Sequence, residues 1–331
     1  MTDIKHTEIK KRIVRNSAAE FLRSYPTIPI IILMIIGFSV TTKNFLNPGT
    51  VRTMMAVNTV ALIAAIGETF VLLTGGIDLS VATVISVSAV ISATLMEITG
   101  ANLLVGIVAA VAVGLIFGTI NGILIGYGKM TPFITTMGTN LVARGIAFMM
   151  SSEGRGVKAS KELIQFGFKT FLGVPLITWI GLILIVVFTI LLKQTFWGRR
   201  VILTGSNRTA AKYSGINTAK TEASVYILSG LLAGIAGFIS IINLGAGIPG
   251  VGDSLLLIII AAVVLGGTSM TGGEGSVMRT LIGIILLAVL TQGLDRLHVE
   301  FYDQYIVMGI LIFIGNSLTI RITSRSSKAM H

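Results

Sequence analysis

Cysteine is absent from the chain, and histidine occurs only three times in 331 residues. The first absence excludes disulfides, thiolate metal sites, cysteine nucleophiles and iron–sulfur clusters. His6, His298 and His331 lie near the tails or in a late loop and give no metal-ligand spacing. Charge is also scarce: Asp, Glu, Lys and Arg make up 12% of the residues, where a soluble domain carries about a quarter. No G-x-x-x-x-G-K-[ST] phosphate loop occurs, because Gly205-Ser206-Asn207-Arg208 and Gly272-Gly273-Glu274-Gly275 lack its lysine and spacing. The chain alone is therefore not an ATPase of the usual kind, and neither a cofactor nor a metal is expected.

What fills the sequence is apolar: 53% of residues are hydrophobic, in runs long enough to cross about 30 Å of hydrocarbon as helices. The runs predict an all-α polytopic membrane protein of about ten spans. These fall at residues 26–42, 54–73, 79–96, 102–127, 131–150, 174–192, 223–243, 255–270, 280–294 and 304–320. The first has a basic flank like that of a secretory leader. No small-residue cleavage pattern follows, so it reads as a retained span. The last three are short and separated by Leu265-Gly266-Gly267 and Gly272-Gly273, which predicts broken or re-entrant helices. The domain reading is a basic tail (1–25), a membrane domain (26–320) with a loop at 193–222, and a second tail (321–331).

Ten spans place both termini on one side. That side holds 17 of the 25 Lys and Arg residues and the other holds 7, with Arg144 inside a span. Positive residues mark the cytoplasm, so both termini are expected there. The net charge of +11 belongs to this face, and nucleic-acid binding is not needed to explain it.

Several polar groups stand out against the apolar background. In Leu73-Thr74-Gly75-Gly76-Ile77-Asp78-Leu79-Ser80, the glycines end one helix, and Asp78 either caps the next or touches a substrate or gate. Glu68 and Arg144 are charges within spans, suited to a mutual ion pair or to a wet pathway. Asn58, Asn121, Thr135, Thr136, Asn140 and Asn243 suit interhelical hydrogen bonds or a path for a neutral polyhydroxyl solute. In the 193–222 loop, Asn207 is placed to cap a two-turn helix over Arg208 to Ser214, and Gly215 to end it. That peg is either a basic connector or a docking element. The 38 glycines, mostly in spans, predict close helix approach.

Four co-linear stretches resemble the permease subunit of bacterial ATP-binding-cassette sugar importers of the ribose, xylose, galactose and autoinducer-2 type. They are Thr74 to Val81, Pro132 to Thr139 with Arg144-Gly145, Gly205 to Asn217, and Ala261 to Ser269 with Gly272, Gly273 and Gly275. The resemblance covers about residues 45–315 and implies alternating access for a monosaccharide across the bacterial inner membrane. It also implies a second permease copy or paralogue, a cytoplasmic ATPase and an extracytoplasmic sugar-binding protein, in contact with membrane lipid. It casts Asn207, Arg208, Ala211, Tyr213, Ser214, Gly215 and Asn217 as the ATPase-coupling segment. Asn58, Glu68, Asp78, Thr135, Thr136, Asn140 and Arg144 are then candidates for the pathway or its gates. Two departures bear on the sugar: Leu255 to Ile260 replace a stretch that is acidic in many relatives, and Ala82 stands where glycine is common. The alternative class is an ion-coupled secondary transporter, for which Glu68 and Asp78 are the support.

Overall fold

The computed structural model describes residues 27–151 and 156–313. The proposed tails at 1–25 and 321–331, and the end of the span proposed at 304–320, lie outside the described residues. Helices α1 (Thr27–Thr41), α2 (Pro48–Leu73), α3 (Val81–Ile98) and α4 (Leu103–Gly122) come first, α4 running on into a π-helical turn, Ile123–Tyr127. Helix α5 (Pro132–Met150) leads to β1 (Val157–Lys158), the short α6 (Lys161–Phe168), and the ribbon β2 (Thr170–Phe171) and β3 (Val174–Pro175). Then follow α7 (Leu176–Gln194), α8 (Phe196–Ser206), α9 (Arg208–Tyr213) and α10 (Thr218–Leu244). The chain closes with β4 (Ala246–Gly247), α11 (Leu255–Leu265), α12 (Val277–Arg296) and α13 (Phe301–Phe313).

Six of these segments are long and apolar enough to cross a membrane: α2, α3, α4 with its π turn, α7, α10 and α12. The protein is thus an all-helical, multi-pass membrane protein, its strands being two residues long. Its exterior agrees, since Leu33, Leu104, Ile134 and Leu141 are each more than 60% exposed. In water such a surface would be unfavourable; against lipid tails it is not.

Local chemistry moved several boundaries. Helix α2 starts at Pro48 rather than at residue 54, because Asn47 Oδ1 accepts from the Gly49 N–H and proline fits the first turn. Helix α10 starts at Thr218 rather than 223, with Asn217 Oδ1 accepting from the Lys220 N–H at 2.9 Å. The 193–222 segment is therefore not a loop but α8, α9 and the first turn of α10. Its helix α8 is capped by Thr195, whose hydroxyl accepts from the Gly198 N–H at 3.1 Å. The span expected at 280–294 is not broken: α12 runs for 20 residues, capped by Ser276. Helix α11 does stop short, at Leu265.

Helix α10 is the centre, packed against α4, α2 and α3. Its seam with α4 is made of glycine: a Cβ on Gly114 would stand 2.2 Å from the Gly230 carbonyl, and one on Gly118 2.7 Å from that of Tyr226. One methyl group would force the helices apart. The core beside this seam holds Tyr226, Phe70, Ile63, Ile66 and Leu72, all fully buried.

Candidate functional site

Between α2 and α3 the chain leaves the helix, turns at Thr74-Gly75-Gly76, and folds back into the protein. Asp78 is 2% exposed and its N–H donates to Glu68 Oε1 at 3.1 Å, a residue more than one turn inside α2. Non-helical backbone at this depth survives only if each of its polar groups is satisfied by protein. Side chains from three helices contribute, Glu68 of α2 being the first. Asn140 of α5 donates to the Leu79 carbonyl at 2.7 Å, and the Thr136 hydroxyl, which donates to the Pro132 carbonyl of its own helix at 2.9 Å, lies 3.5 Å from the Ile77 carbonyl. Tyr226 of α10 also donates to the Ile77 carbonyl, at 3.5 Å.

Asp78 is the hub. Its Oδ1 accepts from the Ser80 N–H and hydroxyl at 3.0 and 2.5 Å, and its Oδ2 from the Ser229 hydroxyl of α10 at 2.8 Å. Ser80 Oγ in turn accepts from Asn121 Nδ2 of α4 at 2.8 Å. The carboxylate thus anchors the start of α3 and ties it to α10. Five of the sequence-selected residues, Glu68, Asp78, Asn121, Thr136 and Asn140, meet here; Ser229 and Tyr226 join them without having been singled out.

The remaining candidates lie elsewhere. Asn58 donates to its own helix at the Met54 carbonyl, 2.9 Å, and the buried Thr135 hydroxyl to that of Thr131, 3.1 Å. Asn243 donates to the Ala56 carbonyl at 2.8 Å and so does bridge two helices. The ion pair between Glu68 and Arg144 does not form: Arg144 pairs with Asp253, and Glu68 receives the backbone N–H instead. Helix geometry explains the difference, because folding back of the 74–80 segment inserts a donor beside Glu68 and shields it.

The peg has the expected form. Asn207 Oδ1 accepts from the Ala210 N–H at 2.9 Å, Ala211 is 4% exposed, and Gly215 ends the helix at φ +81°. The Ser214 and Gly215 N–H groups return to the Ala210 and Lys212 carbonyls. Tyr213 is 89% exposed. Arg208 pairs with Glu222 on the first turns of α10, which had been assigned to a loop. A cleft of about 220 Å³ separates the peg from the Asp78 hub, lined by Thr74, Gly76, Lys129, Arg208, Glu222 and Tyr226.

Three glycine turns lock together next to this cleft. A Cβ on Gly205 would sit 1.8 Å from the Leu73 carbonyl and 2.7 Å from the Gly273 N. That same N donates to the Leu73 carbonyl at 2.9 Å. The ends of α2 and α8 and the turn before α12 therefore meet backbone to backbone.

The many-helix membrane body, with its capped peg beside an irregular buried turn, is matched by permease subunits, which are transport components rather than enzymes. The chain belongs to the family described as branched-chain amino acid transport system, permease component, whose pattern matches residues 50–315. Ribose import permease protein RbsC of Bacillus subtilis (strain 168) is 37% identical over 88% of this chain and 90% of its own length. The protein of the same name from Escherichia coli (strain K12) is 35% identical over 86% of this chain and 90% of its own. D-allose transport system permease protein AlsC of Escherichia coli (strain K12) is 32% identical over 91% and 92%. No solved structure is matched significantly.

Proposed function

We propose that this chain is the membrane subunit of an ATP-binding-cassette importer for a neutral monosaccharide, with ten crossings and both termini in the cytoplasm. The carrying observation is the similarity, over nearly the whole chain, to permeases named for ribose and allose. In this reading α1, α5, α11 and α13 supply the four crossings beyond the six long apolar helices. Membrane domain 26–320 pairs with a second copy or a paralogue. A cytoplasmic ATPase receives the peg, and an extracytoplasmic binding protein delivers the sugar.

The geometry gives the peg a route inward. Arg208 on α9 holds Glu222, and one turn further along α10 lies Tyr226, which touches Ile77. Ser229, about another turn on, holds Asp78. A displacement of the peg thus acts on the turn that positions α3 and, through Thr136 and Asn140, α5. The ion-coupled alternative has less support from Asp78, whose two oxygens are engaged by the Ser80 and Ser229 groups.

Reconstitution with the cognate ATPase and binding protein tests the reading. ATP-dependent uptake of ribose, allose or arabinose into vesicles is expected. Uptake that ignores ATP and follows an ion gradient would reverse the choice.

A further inference from the structure

Arg144 and Asp253 form an ion pair that is not buried: their side chains are 46% and 36% exposed. Its position makes that exposure informative. Arg144 lies on α5 one turn beyond Asn140, which bonds Leu79 just before α3 begins. Asp253 follows a strap of chain that descends along α3. Gly247 packs against the Ala89 carbonyl, and Gly252 against that of Ala82, with its N–H donating to Ser86 Oγ at 2.9 Å. Arg144 itself lies within its helix, about 18 Å along α5 from Pro132 and about 9 Å from Met150, at 1.5 Å per residue. The pair is therefore deep in the body, and the packed strap prevents Asp253 from rising to a membrane surface.

Two half-exposed charges at that depth are unfavourable against hydrocarbon and are found facing water. Among the described residues neither makes another side-chain hydrogen bond, so most guanidinium donors and one carboxylate oxygen remain available. We infer that Arg144 and Asp253 line the solute path and hold a neutral polyhydroxyl solute there. A hydroxyl both donates and accepts, so adjacent hydroxyls match a guanidinium beside a carboxylate. The pair has no net charge and gives neither cations nor anions an advantage. Asp253 also supplies an acid in the segment preceding Leu255 to Ile260, the stretch in which this chain has none. This inference rests on the importer reading for the identity of the solute, but not for the wetness of the face.

The absence of native cysteine makes the test direct. Arg144→Cys, Asp253→Cys and Gly145→Cys are placed singly in the full chain, assembled with ATPase and binding protein in open membrane fragments. Gly145 is included because a Cβ there meets nothing within 4 Å, so this variant folds even if loss of a charge partner impairs the others. A cationic, water-soluble methanethiosulfonate reagent is the probe, and Val186→Cys on the apolar face of α7 is the reference. Because the reacting species is the thiolate, which needs water, modification at the three sites is expected at least about tenfold faster than at Val186→Cys. The transported sugar is expected to slow it about threefold or more by occupying the path. Rates at all three sites as slow as the reference overturn the inference, and so do fast rates that none of ribose, allose or arabinose alters in a complex that transports one of them. Wild-type uptake is measured in parallel: if none of the three sugars enters, the importer reading fails, while the rates still decide whether this face is wet.

Discussion

The Asp78 hub and the peg are close neighbours with opposite constructions. In the hub, Asp78, Ser80, Asn121 and Ser229 are all buried and bond one another across α3, α4 and α10. In the peg, six residues are closed by their own flanks, Asn207 before and Gly215 after, with Tyr213 in the open. A buried network ties the stability of the whole body to each member, since a group left without its partner costs about 1–3 kcal/mol. A short self-capped helix that meets the body through Ala211 and Arg208 can change with less effect on the stability of that body. The difference separates a region on which the stability of the whole body depends from one that is closed by its own flanks.

Substitutions can break that separation or sharpen it. The largest effect is expected from Gly205→Val, whose side chain enters the space of the Leu73 carbonyl and the Gly273 N and so disrupts hub and peg together. Membrane yield of folded protein, read by size-exclusion fluorescence, should collapse. Next comes Asp78→Leu, which strands the Ser80 N–H and the Ser80 and Ser229 hydroxyls, at about 1–3 kcal/mol each. A marked fall in thermal midpoint is expected, with Asp78→Asn clearly milder because it keeps an acceptor.

Ala211→Pro should invert the pattern. It breaks a helix interior at a local cost of about 3 kcal/mol, yet the thermal midpoint of the body should hardly move. Binding-protein recognition should survive, while stimulation of ATP turnover by loaded binding protein should be lost. Normal transport by this variant would reduce the peg to a connector. The Glu68→Gln and Arg144→Gln variants should show additive losses of folded yield when combined, since the two groups have different partners. A non-additive result would mean that they meet in another state of the cycle. The smallest effect belongs to Lys212→Ala, which removes charge but keeps helix propensity; uptake within about twofold of the parent is expected.

Whether each region was legible in the sequence follows from the same contrast. The peg was readable because its signals are local: a cap, two turns and a glycine lie within nine residues, 207 to 215. The apolar segments were readable for the same reason, and ten proposed runs each overlap a helix among the described residues. The hub was only half readable, because Ser80 and Ser229 are ordinary serines until a chain separation of 151 residues from Asp78 to Ser229 is closed. Asp253 was passed over for a related reason. No local pattern shows that residues 246–252 run down the side of α3. Helix α8 had a signal, Thr195 followed by Phe196, Trp197 and later Val201, that basic neighbours concealed.

The glycine seam between α4 and α10 has a mechanical meaning. With carbonyls of one helix lying against the α-carbons of the other at Gly114, Gly118, Gly230 and Gly234, neither helix has side chains that can slide or re-interlock. Rotating one against the other would drive backbone into backbone. The two helices therefore form a single plank, and alternation has to be partitioned elsewhere. Helix α5 is joined to the frame differently: Gly138 and Gly145 meet no neighbouring atom, and Asn140 and Arg144 hold the Leu79 carbonyl and Asp253 through their side chains. The protein thus joins its helices in two ways, backbone against backbone within the plank and side chain to backbone or side chain around it.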